Sequence, residues 1–414
     1  MQTTFKEISI EALCTRVTSG STPLRSRSDY YENGTIDWFK TGELNDWFVE
    51  SSSEKITQLA LQETSVKVFP AGTVLIAMYG DGKTITTLSM LRSPATTNQA
   101  CGAMLVDRQQ CDPTYFFYAL KSRRHKLIGL ALGGAQRNLS AKIIKDFCLP
   151  VPPLSVQRRI AGILSAYDEL IENNQRRIRI LEEMARSLYR EWFVHFRYPG
   201  HESVPLVDSP LGQIPQGWEV RKLGELTSFL GRGLSPSYDD DGVSLVINQK
   251  CIRDQRLSLE PARRQKKPIP GDKQVRFGDV LINSTGVGTL GRVAQVYSEI
   301  EQCTVDTHVT IARPSDSTDL DFFGCALLSQ QETFERLGVG ATGQTELGRT
   351  VIGQVELVIP PVTLQARFGG LVRPIFTAAT TLSNQTANLR RTRDLLLPRL
   401  LSGQVELTSQ EFTP

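Results

Sequence analysis

The tightest constraint on how this chain folds is that it nearly repeats itself at half its length. "PPLSVQRRI" begins at Pro152, and "PPVTLQARF" begins 208 positions later at Pro360. Upstream, "VFPAGTVLIAMYGDGKT" (68–84) resembles "VRFGDVLINSTGVGT" (275–289) at an offset of 206, which pairs Gly72 with Gly278, Leu75 with Leu281, and Gly80 and Gly82 with Gly286 and Gly288. "GAQRNLSAKIIKDFCLPVPPLSVQ" (134–157) resembles "TGQTELGRTVIGQVELVIPPVTLQ" (342–365) at 208, with Gln136 opposite Gln344 and Leu139 opposite Leu347. A self-similarity of that period means two copies of one folding unit, and the drift of two residues is a loop indel between paired elements. A length of 414 residues agrees, being too great for one ordinary core.

Each copy reads as mixed α and β. "GTVLIAMYG" and "GDVLINSTG" are short apolar runs closed by glycine, suited to buried strands, whereas "PTYFFYALKSRRHKLIGL" and "LDFFGCALLSQQETFERLG" carry helical periodicity. After each proline pair the pattern becomes one long helix. In the first copy Ile160, Tyr167, Asn174, Leu181 and Leu188 fall seven apart, as do Leu164, Ile171, Ile178, Ala185 and Trp192, which is a heptad seam. The second copy gives Phe368, Ile375, Leu382, Leu389 and Leu396, flanked by Val372, Ala379, Thr386, Arg393 and Leu400, with Thr386 and Arg393 weakening it. Asn174 is expected to set register inside the seam. Pro374 is expected to kink the second helix and Pro398 to end it early. The acidic pairs Asp168-Glu169 and Glu182-Glu183 are expected on the solvated face.

The predicted architecture is therefore two pseudo-symmetric α/β (mixed α+β) domains joined by two long antiparallel coiled-coil helices, each spanning roughly 48 Å along its seam. The expected boundaries are a first domain over 1–153, a central helix over 154–198, a linker and second domain over 199–361, a distal helix over 362–403 and a tail over 404–414.

Several function classes are excluded by what the motifs lack. "AMYGDGKT" (77–84) ends like a phosphate-binding loop, but Ala77 occupies the first glycine position and the paired stretch has no lysine. "VPPL" and "IPPV" lack the polar first residue and aromatic last residue of an amino-methyltransferase loop. The four histidines (His125, His195, His201, His308) and seven cysteines are scattered without metal or nucleophile spacing, so no catalytic centre, metal site or disulfide framework is expected. No run of about 18 apolar residues and no secretory start is present, so a cytoplasmic location is expected.

What remains is a polar and basic set on glycine-containing loops, one per half. The first half offers Arg25, Arg27, Lys40, Lys83, Gln136, Arg137 and Asn138. The second offers Asn248, Gln249, Lys250, Arg253, Arg263, Arg264, Lys266, Lys267, Gln344 and Arg349. Arginine pairs with guanine, asparagine and glutamine with adenine, and lysine neutralises phosphate, so this chemistry suits duplex DNA. Residues 201–360 carry 16 basic and 21 acidic side chains. DNA contact there requires a local patch, and Arg253–Arg276 supplies one, with eight basic residues against three acidic.

These features together resemble the specificity subunits of type I restriction-modification enzymes. The likeness lies in the half-chain repeat, the two "PP…Q" helix starts and the paired openings "GSTP" (20–23) and "GLSP" (233–236). The junction "SLYREWFVHFRYPG" leading to "SPLGQIPQGWEVRKLGEL" carries it further. Phe5 stands where the second copy has Trp218. The resemblance implies a non-catalytic DNA reader in which each recognition domain binds one half of a split, asymmetric target in the major groove. It implies two methylation subunits docked near the helices, with Arg176, Arg177, Arg390 and Arg391 as candidates, and restriction subunits beside them. S-adenosylmethionine, ATP and magnesium would belong to those partners and not to this chain. The alternative from the residues alone is a coiled-coil adaptor that makes protein contacts without DNA readout.

Overall fold

The run Val74–Ala77 has no polar face to offer solvent, and all four residues are buried. Such a strand is stable only at the centre of a sheet covered on both sides. In the computed structural model, which describes residues 5–80, 84–131, 137–340 and 345–405, it lies at the centre of five strands. Their order is Cys14–Ser19, Cys101–Val106, Val74–Ala77, Leu88–Leu91 and Phe48–Val49. Neighbours are antiparallel except the last pair, which is parallel. The side chains alternate between two cores. Val74, Ile76, Leu88 and Met104 face the helix Pro113–Ser122, while Leu75, Ala77, Leu91 and Ala103 pack with Phe39 and Phe69.

The chain packs as two units, Met1–Glu172 with Thr386–Pro414, and Asn173–Gln385. The second unit repeats four of these five strands in the same order. Its central sheet runs Thr227–Arg232, Val309–Pro314, Val280–Asn283, Val293–Gln295. In both units a smaller sheet contains a parallel pair, Ile36–Phe39 with Thr96–Thr97 and Ser244–Ile247 with Cys303–Val305. The "GSTP" and "GLSP" openings owe their glycine to this arrangement. A Cβ on Gly20 would sit 2.1 Å from the Thr97 carbonyl oxygen, and one on Gly233 would sit 1.8 Å from that of Val305.

The repeated glutamine has a local cause. In the first unit Asp112 caps the helix Pro113–Ser122 by accepting from the backbone N–H groups of Thr114 and Tyr115, with proline at the first helical turn. The buried Gln157 amide bridges that cap to the start of the long helix: its Oε1 accepts from the Asp112 N–H at 2.9 Å, and its Nε2 donates to the Pro152 carbonyl at 2.9 Å. The second unit is built identically. Asp319 caps Leu320–Ser329, Gln365 Oε1 accepts from the Asp319 N–H at 3.0 Å, and Gln365 Nε2 donates to the Pro360 carbonyl at 2.8 Å. Both glutamines are 1% exposed, so each is a fixed joint between a domain helix and a long helix.

The long helices are Leu154–Tyr189, which closes in a π-helical turn at Arg190–Val194, and Val362–Leu401. Within the first unit the start of the former shares a core with the end of the latter: Ile160 and Leu164 with Leu396, Leu397, Leu400 and Leu401. Within the second unit Ile178 and Leu181 pack with Ala379 and Leu382, and Leu188 joins Phe368, Val372 and Ile375. The two therefore run antiparallel. Ile171 and Asn174 are buried, and Tyr167 and Leu389 half-buried.

Three expectations need correction. The second helix does not end at Pro398 but runs on to Leu401, with Pro374 inside it. Before Pro374, residue 370, whose carbonyl the ring would crowd, is a glycine with open space around it. Asp168 is not solvated: at 5% exposure it accepts from Tyr118 Oη at 2.7 Å and forms an ion pair with Arg393. Arg393, read as a weak seam residue, is thus half of a buried polar joint. Glu182 likewise is mostly buried and holds Arg256 through both carboxylate oxygens.

Candidate nucleic-acid interface

In the second unit four loops converge at one end of the central sheet. Val280–Asn283 ends in Asn283, fully buried, whose Nδ2 donates to the carbonyls of Gln249 and Thr289 at 3.0 Å each. One side chain thereby holds the loop after Ser244–Ile247 against the loop Ser284–Thr289. Ser284 Oγ and Thr310 Oγ1 share a hydrogen bond of 2.6 Å, and so do Thr285 Oγ1 and His308 Nδ1. The fourth segment joins through a bridge between Thr285 and Glu346, and through Arg232, which pairs with Glu346 at 2.7 Å and donates to the Leu347 carbonyl. Asp306 lies beneath, 2% exposed, with its carboxyl pushed up by burial while Oδ1 accepts from the His308 N–H at 2.8 Å.

The arrangement brings together a subset of the expected residues. Gln249 is half-buried and Lys250 exposed, on the turn Gln249–Cys251. Arg349 is exposed at the start of the helix Arg349–Gly353. Neither Lys250 nor Arg349 makes an ion pair among the described residues. Asn248 is buried, and its amide is engaged, donating to the Pro261 carbonyl at 2.8 Å and accepting from the Lys250 N–H at 2.9 Å. It shapes the turn that presents its neighbours.

A second basic group lies on Arg263–Gln265 and its approach. The Arg263 guanidinium stacks 3.8 Å over Tyr238, and Arg264 donates to the Gly242 carbonyl. Lys266 pairs with Asp239 at 2.5 Å and holds that carboxylate below its ordinary range, while Lys267 donates to the Ser235 carbonyl. Arg253 is largely exposed beside Asp254. The patch read between Arg253 and Arg276 is thus partly neutralised from within: Arg256 is engaged by Glu182 and Lys266 by Asp239.

The first unit groups its candidates around a carboxylate. Arg25 and Lys40 both bind Glu54, and the hydrogen bond from Arg25, with Lys40 beside it, keeps that carboxyl below its usual range. Arg25 also stacks over Tyr31 and Trp38, and Arg27 lies over Tyr30 with ion pairs to Asp29 and Glu63. Arg137–Asn138 pairs with Tyr79–Gly80, the repeat equivalent of the Thr285–Glu346 bridge, and Asn138 is exposed. Lys83, Gln136 and Gln344 lie outside the described residues.

Arg176, Arg177, Arg390 and Arg391 are exposed on the long helices. Arg177 and Arg373 line an open cavity of about 850 Å³ in the second unit, with Asp319, Gly370, Pro374 and Thr381. Arg373 reaches Asp321 at 2.8 Å, and burial raises that carboxyl despite the partner. Sequence reasoning missed Arg232, His308, Thr285 and Glu346. The only sequence signal for them was Thr285 and Glu346 lying opposite Tyr79 and Asn138 in the repeat. Among the described residues no cluster of three or more His, Cys, Asp or Glu side chains is placed to hold a metal ion, and no helix is long and apolar enough to cross a membrane.

Residues 3–183 match a family model described as "Type I restriction modification DNA specificity domain". The chain is 25% identical over 407 residues to the type I restriction enzyme MjaIX specificity subunit of Methanocaldococcus jannaschii, covering 94% of this chain and 91% of that one. The type I restriction enzyme HindI specificity subunit of Haemophilus influenzae is 24% identical over 369 residues, covering 71% and 77%. The crystal structure of a type I restriction-modification S subunit from M. genitalium shares the fold, with a TM-score of 0.65 at 17% identity over 98% of this chain and 97% of that one.

Proposed function

We propose, from the similarity of this chain to type I restriction-modification specificity subunits, that its two units read the two unlike halves of one bipartite DNA target in the major groove and that the paired helices set the gap between them. The family role is sequence specificity for DNA, and the chain is not the catalyst; methylation and cleavage lie in partner subunits. The observation that carries the finer reading is a duplicated frame with unlike loops. Equivalent turns follow equivalent strands, yet one presents Lys40 against Glu54 while the other presents Gln249 and Lys250. Unlike side chains on matched supports read unlike sequences. A pure adaptor has no use for that difference, so the adaptor reading is not favoured.

On this reading Arg25, Arg27, Lys40, Asn138, Gln249, Lys250, Arg263 and Arg349 contact DNA, and Lys83, Gln136, Arg137 and Gln344 are further candidates from the sequence. Asn248 acts through its turn. Two methylation subunits dock beside Arg176, Arg177, Arg390 and Arg391 and bring S-adenosylmethionine, while a restriction subunit brings ATP and magnesium. The test is a map of modified bases in cells expressing this chain with its methylation subunit. The expected result is one asymmetric, two-part motif of fixed gap. A continuous motif, or none, overturns the proposal.

A further inference from the structure

Val287 is 83% exposed, the highest exposure among the large apolar side chains described. It sits at the tip of Gly286-Val287-Gly288, between two glycines in the left-handed region, at φ +107° and +69°. The tip is not loose. The Thr289 N–H donates to the Gly286 carbonyl at 3.1 Å, Arg292 donates to the Gly288 carbonyl at 2.7 Å, and Asn283 grips the Thr289 carbonyl from the core. The same Asn283 amide holds the Gln249 carbonyl. A β-branched hydrocarbon is therefore presented on a braced support, on the loop that carries Thr285 with its bond to His308 and that lies against Gln249.

An apolar tip on a loop of polar groups matches one feature of a duplex that is itself apolar and set among acceptors and phosphates, the C5-methyl of thymine in the major groove. We infer that Val287 is a specificity-determining residue that contacts a thymine methyl in the half-target read by the unit Asn173–Gln385. Gln249, held on the adjoining loop, carries an amide of the kind that pairs with adenine. The half-target of this unit thus includes an A·T pair selected partly by its methyl group. This inference rests on the DNA reading given above and names the base chemistry of one part of that site.

The test uses the full chain with its methylation subunit and synthetic duplexes of the mapped motif. Each thymine of that half is replaced in turn by deoxyuridine, which removes only the methyl. One replacement is expected to weaken binding by the wild-type complex roughly four-fold, the worth of one buried methyl. Val287→Ser is expected to bind the thymine duplex roughly four-fold more weakly and to be indifferent to that same replacement. Sensitivity that persists in Val287→Ser, insensitivity of the wild type at every thymine, or a half-target without A·T pairs overturns the inference while leaving the two-part DNA reading intact. Recovery of no motif at all overturns the reading itself, and the inference with it.

Discussion

The two units are one design packed in two ways, and the difference is sharpest along the long helices. In the repeat Asp168 corresponds to Phe376 and Arg393 to Ala185. The first unit closes its helix pair with leucines, Leu396, Leu397, Leu400 and Leu401, beside the buried Asp168, Arg393 and Tyr118 joint. The second uses rings. Phe368 lies 4.9 Å from Phe193 and 5.8 Å from Trp192, and Phe376 stacks on Tyr297 at 4.7 Å. What both units retain is the capped helix, the glutamine joint and the glycine packed against a carbonyl. Duplication preserved the groups that fix backbone geometry and released those that fill space, because a core tolerates repacking when its volume and pattern are kept. A hydrogen-bonded joint has no such latitude.

The largest expected effect breaks that comparison at its ionic end. Asp168→Leu takes the buried carboxylate from Arg393, which keeps only the exposed Asp394, and leaves Tyr118 without an acceptor; it is expected to lower stability by about 3 kcal/mol in chemical denaturation. Asp168→Leu with Arg393→Met is expected to recover most of that loss, since an apolar pair can replace a buried ionic one. A single substitution as mild as a surface change would mean that the first unit is held by its leucines alone. The next effect sharpens the shared part. Gln157→Ala and Gln365→Ala each leave a buried N–H and a carbonyl unsatisfied and are expected to cost about 1 to 3 kcal/mol. Near-equal values in the two units are expected, and a difference comparable with either value would show that the joints are not equivalent.

Much of the frame was legible in the sequence. The half-chain repeat and the two heptad seams come from periodicity, which local residues carry, and the antiparallel pairing from the pseudo-symmetry that the repeat implies. The repeated glutamine was visible as a pattern and mute as to cause, because its partners Asp112 and Asp319 lie 45 and 46 residues upstream. Asp168 and Arg393 were misread for the same reason at greater range: a charge on a helix looks solvated until the facing residue, 225 positions away, is known. The candidate interface was the least legible part. Basic loop residues were identifiable, but which of them are neutralised by Glu54, Glu182 or Asp239 depends on tertiary packing, and Val287 carried no sequence signal beyond its flanking glycines.

On the proposed reading the antiparallel helices determine how far apart the two units grip a duplex. Deleting one heptad from each long helix removes about 10 Å of rod, close to three base pairs at roughly 3.4 Å each. The map of modified bases for that variant, expressed with its methylation subunit, is expected to show both half-motifs unchanged and the gap shortened by about three base pairs. Unchanged half-motifs at the original gap would contradict the claim.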